Sequence, residues 1–320
     1  MRKVRYLSSL MGAIALVSML GIVGAGLAFI NSVTHAASSD VISSGVLKQD
    51  DGNTYWTASR RKSAKPWDMP LKSSGAHRDP AESTPASQGP VAPKNYANWS
   101  VLATVGKIFF TDSKTGDGYV CSGTAIVSKN QSVVDTAGHC VIEGGSKNNW
   151  YTHWQFCPQY NNGPSQYGCW SARTLWTRAD WANSASQEDD FGEAVIYPNS
   201  LHQHLTSVVG GAGWAYNQPV PQTVTAYGYS AEGSFNGQTM QTCSGTSVSS
   251  SLDDGTVVTI PCTQMTGGAS GGPWFISLNG KPGYVNGHND YVDNRNAPAT
   301  VTSPYYDSDW YAVYNAAQNA

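Results

Sequence analysis

Thr136-Ala137-Gly138-His139-Cys140 and Gly267-Gly268-Ala269-Ser270-Gly271-Gly272-Pro273 are the two stretches on which the reading of this 320-residue chain turns. The first sets a histidine beside a cysteine at the end of an apolar run, Ala125-Ile126-Val127 through Val133-Val134. The second sets a serine among glycines that let backbone amides converge on one point. Between them, Asp189-Asp190-Phe191-Gly192-Glu193-Ala194-Val195-Ile196 puts two acids at the mouth of an alternating strand. A serine hydroxyl becomes a useful nucleophile only when a neighbouring base takes its proton. Imidazole, with an ordinary pKa of about 6.5, suits that task near neutral pH.

Histidine, then acid, then serine is the chain order of the chymotrypsin-type triad, and the chain resembles the trypsin-like serine endopeptidases. Within them it is most similar to the bacterial secreted branch that includes the glutamyl endopeptidases. The resemblance implies that Ser270 is the nucleophile, that His139 is the general base and later the acid, and that Asp190 orients His139. It also implies an oxyanion hole made by the amides of Gly268 and Ser270. Neighbouring residues on a strand cannot face one site. Asp190 is preferred over Asp189 because the Phe-Gly-x-Ala-Val-Ile that follows it resembles the family pattern. Asp135, on the strand leading into His139, reads as a surface or structural residue. His153, His202 and His204 carry no motif and read as structural.

Specificity is read from the same resemblance. Gln264 stands six residues before Ser270, where trypsin-like enzymes of basic specificity have an aspartate, so cleavage after Arg or Lys is disfavoured. Val285-Asn286-Gly287-His288-Asn289 puts His288 where glutamyl endopeptidases carry a histidine that binds the substrate carboxylate. A protonated imidazole can donate from both nitrogens, and Thr266 could add a hydroxyl. Met265 departs from that pattern, and an ordinary strand histidine is the competing reading of His288. Ala269 precedes the nucleophile where many relatives have an aspartate that pairs with a freed N-terminus, so activation here should not depend on that salt bridge. A catalytically silent binding module and an esterase-type acyl hydrolase are the alternative functions on the same framework.

The N-terminus reads as an export signal. Arg2, Lys3 and Arg5 precede an apolar stretch from Tyr6 to Ile30, and Thr34-His35-Ala36-Ala37 offers small residues for cleavage after Ala36. Residues 1–36 are therefore expected to be a signal peptide. A retained anchor is the alternative, because a span needs only about 20 apolar residues. Residues 37–94, with their spaced prolines and no hydrophobic periodicity, are expected to bury little apolar surface and to be a propeptide or disordered linker. Arg60-Arg61-Lys62 is a candidate processing site.

Cys121, Cys140, Cys157, Cys169, Cys243 and Cys262 all follow that signal. An even number in an exported chain reads as disulfides, with 15 connectivities open, and no C-x₂-C spacing favours a metal. Sequential pairing is expected. The resemblance supports 121–140, which would brace the histidine loop, while proximity alone supports 157–169 and 243–262. With 13% charged residues and a net charge of −3, nothing calls for nucleic acid as a partner. The expected partners are protein or peptide substrates, with no cofactor or metal and no membrane once the signal is cut. A monomeric, extracellular protein is expected.

From residue 95 onward strand-like runs succeed one another: Val101–Phe110, Tyr119–Val127, Ser132–Thr136, Trp150–Phe156, Trp170–Leu175 and Phe191–Tyr197. A second set follows at Thr223–Ser230, Thr239–Ser247, Thr256–Thr263, Pro273–Ile276 and Gly283–His288. Periodicity leaves sandwich and barrels open. The resemblance selects an all-β fold of two packed antiparallel six-stranded barrels over residues 95–320. Ser308 can cap a closing helix in which Trp310, Val313, Tyr314 and Ala317 recur at helical spacing.

Overall fold

The computed structural model describes residues 40–50, 54–67, 90–93, 100–250, 257–293 and 299–320. The expected signal peptide and most of the proline-spaced run lie outside these residues. The elements of the first half are β1 (Val41–Ser43), α1 (Ala58–Ser63), β2 (Lys65–Pro66), α2 (Val101–Thr104), β3 (Val105–Thr111), β4 (Gly118–Ala125), β5 (Val133–Ala137), β6 (Thr152–Pro158), β7 (Trp170–Arg178), α3 (Ala179–Ser184) and β8 (Phe191–Ile196). Strands β3 to β8 close into an antiparallel barrel in the order β3-β4-β5-β8-β7-β6, with β6 returning to β3. The run expected from Val101 begins with a helical turn instead, because the Ser100 hydroxyl accepts from the Leu102 amide and caps it.

Every residue of β3 is buried, a pattern that requires cover on both faces. Ile108 and Phe110 belong to the barrel's inner core, while Phe109 points out and packs with Trp56, Val120 and Tyr160. Trp56 is 1% exposed, which corrects the expectation that residues 37–94 bury little apolar surface. Isolated aromatic residues have no period to detect, yet each fully buried one contributes on the order of 2 kcal/mol. β1 pairs with β7 and β2 with β4, so residues 41–43 and 65–66 lie on the barrel. Arg61 is buried, with its guanidinium donating to Gln155, while Arg60 and Lys62 are exposed, so only the middle residue of the candidate processing site is covered.

The second half holds α4 (Leu205–Val209), β9 (Gly213–Trp214), β10 (Thr223–Gly228), β11 (Gln241–Thr246), β12 (Val248–Ser249), β13 (Val257–Pro261), β14 (Pro273–Leu278), β15 (Lys281–His288), β16 (Val292–Asp293), β17 (Thr300–Pro304) and α5 (Ser308–Gln318). Its strands form two sheets, β11-β10-β14-β15-β9 and β12-β13-β17-β16. The Asp290 amide donating to Thr302 and the Cys243–Cys262 disulfide join them. β17 was not expected from the sequence; its Thr-Val-Thr-Ser-Pro alternates too briefly to stand out. The disulfides pair Cys121 with Cys140, Cys157 with Cys169 and Cys243 with Cys262, in the sequential order expected. No helix among the described residues is long and apolar enough to cross a membrane.

Helix α5 buries Trp310, Val313, Tyr314 and Ala317, the residues its spacing singled out. Its cap is Asp307 rather than Ser308, because the Asp307 carboxylate accepts from both the Asp309 and Trp310 amides. The helix is tied to the first barrel through Asp135, which accepts from Trp310 Nε1 at 2.8 Å and from Tyr306 Oη at 2.7 Å. Asp135 is therefore wholly buried and structural, not a surface residue. Directly across the β5–β8 ladder stands Glu193, also buried.

Burial lifts the Asp135 carboxyl to about 7, and burial together with the Asp135 charge lifts Glu193 well above the usual range. These acids hold protons in the fold that they release on unfolding, so between about pH 4 and 7 the pair makes stability fall as pH rises. In Glu193→Gln that loss should shrink. Urea midpoints of variant and wild type should coincide at pH 4, and the variant should be the more stable at pH 8.

Candidate active site

His139 sits in a single 3₁₀ turn, Gly138–Cys140, at the end of β5. The β5–β8 register sets Ala137 opposite Phe191, which brings this turn against Asp190 at the entry to β8. Asp190 accepts twice from the same residue, from the His139 amide at 2.7 Å and from its ring Nδ1 at 2.6 Å. Both side chains are buried. Burial alone would push the Asp190 carboxyl up. The His139 imidazole beside it and hydrogen bonds from His139 and Asp290 outweigh this and hold it below the usual range. The turn is braced from behind, where Trp154 Nε1 donates to the Cys140 carbonyl and Cys140 is bonded to Cys121 of β4. Trp181 of α3 packs 6.2 Å from the His139 ring.

Asp189 points elsewhere, accepting from Arg178 Nε at 3.3 Å. Strand alternation is not what separates the two acids. Asp189 ends a 3₁₀ turn, Gln187–Asp189, and Asp190 is the residue that caps it before β8 begins.

Ser270 lies in the loop between β13 and β14 and is 5% exposed. Ser122 of β4 pins this loop to the first barrel, its amide donating to the Ser270 carbonyl at 2.7 Å and its hydroxyl to the Gly268 carbonyl at 2.9 Å. Asn289 holds the other side, since the Gly271 amide donates to its carbonyl and its own Nδ2 donates to the Tyr227 and Ala269 carbonyls. Gly271 has φ +78°, and any Cβ there would overlap Thr136 Oγ1 and the Ser122 carbonyl. The serine loop can meet the histidine strand this closely only with glycine at that position. Ala269 is buried, its Cβ against Gly228, and offers no charge to a freed N-terminus.

Asp290 completes the seam. Its carboxylate lies 3.7 Å from His139 Nδ1, and its carbonyl accepts from Ser270 Oγ at 3.3 Å. His139 Nε2 has no hydrogen-bond partner among the described residues, so the serine hydroxyl is turned to Asp290 rather than to the imidazole. His139, Asp190 and Asp290 present donor atoms within 4.8 Å of one another, a set able to face a cation. Both Asp190 oxygens are engaged by His139, and the arrangement is an acid–imidazole unit. Cys121 and Cys140, also near His139, are consumed by their disulfide.

The comparisons divide sharply. No family model matches the chain, and no curated protein does. Solved structures do match. A thermostable serine protease from an extremophilic microorganism is 35% identical over 68% of this chain and 98% of its own, with a TM-score of 0.63. Protease Anisep from Arthrobacter nicotinovorans is 37% identical over 68% of this chain and 97% of its own, also at 0.63. The chain belongs to the chymotrypsin-fold serine proteases. It is a serine endopeptidase, and its double-β body is theirs. A Glu endopeptidase, 14% identical with a TM-score of 0.54, shares the fold.

Of the three residues expected to meet substrate in this protease, only Thr266 lines the cleft beside Ser270, together with Met265, Asn289, Asp290, Val292 and Val301. The cleft has a volume of about 10 Å³, the space of one water. Gln264 is exposed, its side chain turned back onto the Thr263 amide. His288 has no exposed surface, and its Nδ1 lies 2.9 Å from Tyr306 Oη. With the Tyr306 proton directed to Asp135, the His288 Nδ1–H donates to the tyrosine oxygen.

Burial brings the His288 pKa down to about 3, despite the nearby Asp190 charge. The resemblance put His288 on a strand after the serine, here β15, but did not reveal Tyr306, just before α5, which packs against it. Asp290 and Ser122 escaped the sequence reading, and no motif marks them; the Asn289-Asp290 pair after His288 was the one available signal. The His288 ring carbons, followed by NMR, should not titrate between pH 5 and 9. A midpoint near 6.5 would mean an open, solvated ring.

Proposed function

We propose that this protease is exported and cleaves peptide bonds with His139, Asp190 and Ser270 as a triad. The single observation that carries the reading is the buried, doubly hydrogen-bonded His139–Asp190 pair lying in the same seam as Ser270. In the productive arrangement Ser270 Oγ rotates from the Asp290 carbonyl to His139 Nε2. It then attacks the scissile carbonyl while its proton passes to that nitrogen. The Oγ–C bond forms, the developing oxyanion takes the amides of Gly268 and Ser270, and the C–N bond breaks as His139 returns the proton to the leaving amine. Water then cleaves the acyl-enzyme by the same route. Asp190, held ionised below its usual range, stabilises the imidazolium that forms in each half.

Export is supported by the Arg2-Lys3-Arg5 and apolar N-terminus and by three disulfides, which persist in oxidising compartments. Residues 1–36 are read as the signal, 37–94 as a prosegment and 95–320 as the protease domain. About a third of the chain lies outside the matches to solved proteases, which supports a segment additional to the domain. For the residue before the scissile bond, a preference for Glu draws on the place of His288 on β15. The lining of the cleft supports a small or apolar side chain instead, because Met265, Val292 and Val301 meet it and a glutamate would face Asp290.

Ser270→Ala should lower kcat by about 10⁶ and abolish labelling by a fluorophosphonate, with the thermal transition preserved. Asp190→Asn should cost about 10⁴ in kcat. Asp189→Asn should act on stability through Arg178 and leave kcat within a few-fold; a larger catalytic loss from Asp189→Asn would exchange the two roles. In a fluorogenic panel with Ala, Leu, Phe, Glu, Asp and Arg before the scissile bond, Ala or Leu should be cleaved fastest. Glu in first place, lost in His288→Ala, would restore the acidic reading.

A further inference from the structure

Residues 54–67 run across the first barrel toward the active site. Trp56 anchors the start, its Nε1 donating to the His153 carbonyl at 2.5 Å and its ring against Phe109. Arg61 is held by Gln155, and Lys65 pairs with Asp117 at 2.9 Å. β2 then lies parallel to β4, with Pro66 beside Val120, the residue before Cys121. The next residue makes the contacts that matter. The Trp67 amide donates to the Val120 carbonyl at 3.1 Å, and the Gly268 amide donates to the Trp67 carbonyl at 3.2 Å. The Trp67 indole sits among Tyr119, Tyr151 and Phe110, at centroid distances of 4.6, 6.0 and 6.3 Å and edge-on to each. Such T-shaped contacts are favourable beyond the area they bury. Its Nε1 is buried and has no hydrogen-bond partner among the described residues.

We propose that Phe110, Tyr119 and Tyr151 form an aromatic subsite for a bound polypeptide beside the oxyanion amide, and that residues 54–67 fill it as a built-in inhibitor through Trp67. The proposal rests on reading Ser270 as the nucleophile and Gly268 as an oxyanion donor. An amide that donates to the Trp67 carbonyl is committed and cannot stabilise a developing oxyanion. Withdrawal of one such donor typically slows catalysis about 10²- to 10³-fold. The recognition chemistry is that of a peptide with an aromatic side chain: a ring in the box, a backbone N–H to Val120 and a backbone carbonyl toward Gly268. Once the chain is cut on the C-terminal side of Trp67, the contact changes from intramolecular to bimolecular. An effective concentration in the mM range is then lost, and substrate can take the subsite.

The test uses the intact full-length chain. Trp67→Ala should raise the rate of Ser270 labelling by a fluorophosphonate about 10²-fold over the uncut wild type, and Trp67→Phe should stay within a few-fold of wild type. In a Ser270→Ala background, which cannot process itself, hydrogen exchange at the Gly268 amide should be slow and should quicken at least tenfold when Trp67→Ala is added. Equal labelling of wild type and Trp67→Ala with unchanged Gly268 exchange would overturn the proposal. If Trp67→Ala lowers near-UV dichroism as unfolding does, a peptide of residues 54–67 added to the proteolytically shortened enzyme decides. Competitive inhibition that weakens at least tenfold in the Trp67→Ala peptide supports the subsite, and no inhibition refutes it. If no form of the enzyme labels while Gly268 exchange still responds to Trp67, the nucleophile assignment fails and the docking stands.

Discussion

A buried carboxylate that accepts twice from one histidine is the contact on which this structure depends. Asp190 is cut off from water, so its charge is tolerable only because the His139 amide and ring both donate to it. That geometry asks for two backbone features at once. The chain must turn sharply at Gly138–Cys140, and β8 must begin where the turn ends. The β5–β8 register, one of the pairings that close the barrel, meets both conditions. Barrel closure and the electrostatics of the site are in this sense one constraint.

The serine side of the site is built differently. No regular strand carries Ser270; its loop is suspended between Ser122 on one half of the protein and Asn289 on the other. Both use backbone carbonyls and amides as partners, so the loop's path is specified by atoms every residue has. Side-chain identity matters at the contact points, where Gly271 must lack a Cβ and Ser122 must both donate and accept. Beneath the seam, His288, Tyr306, Asp135 and Trp310 form one hydrogen-bonded chain, with Glu193 facing Asp135. This places the closing helix in contact with the strand that leads into His139, and it keeps His288 dry and neutral.

Residues 54–67 belong physically to the first barrel. β3 is buried on both faces only because Trp56 and its neighbours cover Phe109, and Lys107 lies buried beneath, its pKa brought down to about 8 by that burial. A segment with few apolar residues can still dock firmly when each one enters a prepared site. Composition averages over such residues and misses them.

Local chemistry was enough to single out His139 and Ser270 as candidates, because a histidine closing an apolar strand and a serine within glycines are constrained over a few neighbouring residues. The strand runs were legible for the same reason, as was the face of α5 that carries Trp310 and Tyr314, since periodicity is a local property. Asp190 rather than Asp189 is the acid that meets His139, and what separates the two is a 3₁₀ turn rather than strand alternation. The burial of His288, the approach of Asp290 to His139 and the reach of Trp67 to Gly268 were decided only by the tertiary structure. Each joins residues far apart in the chain through burial or one hydrogen bond. A side chain's pKa and accessibility depend on what is folded over it, and no stretch of sequence contains its own cover.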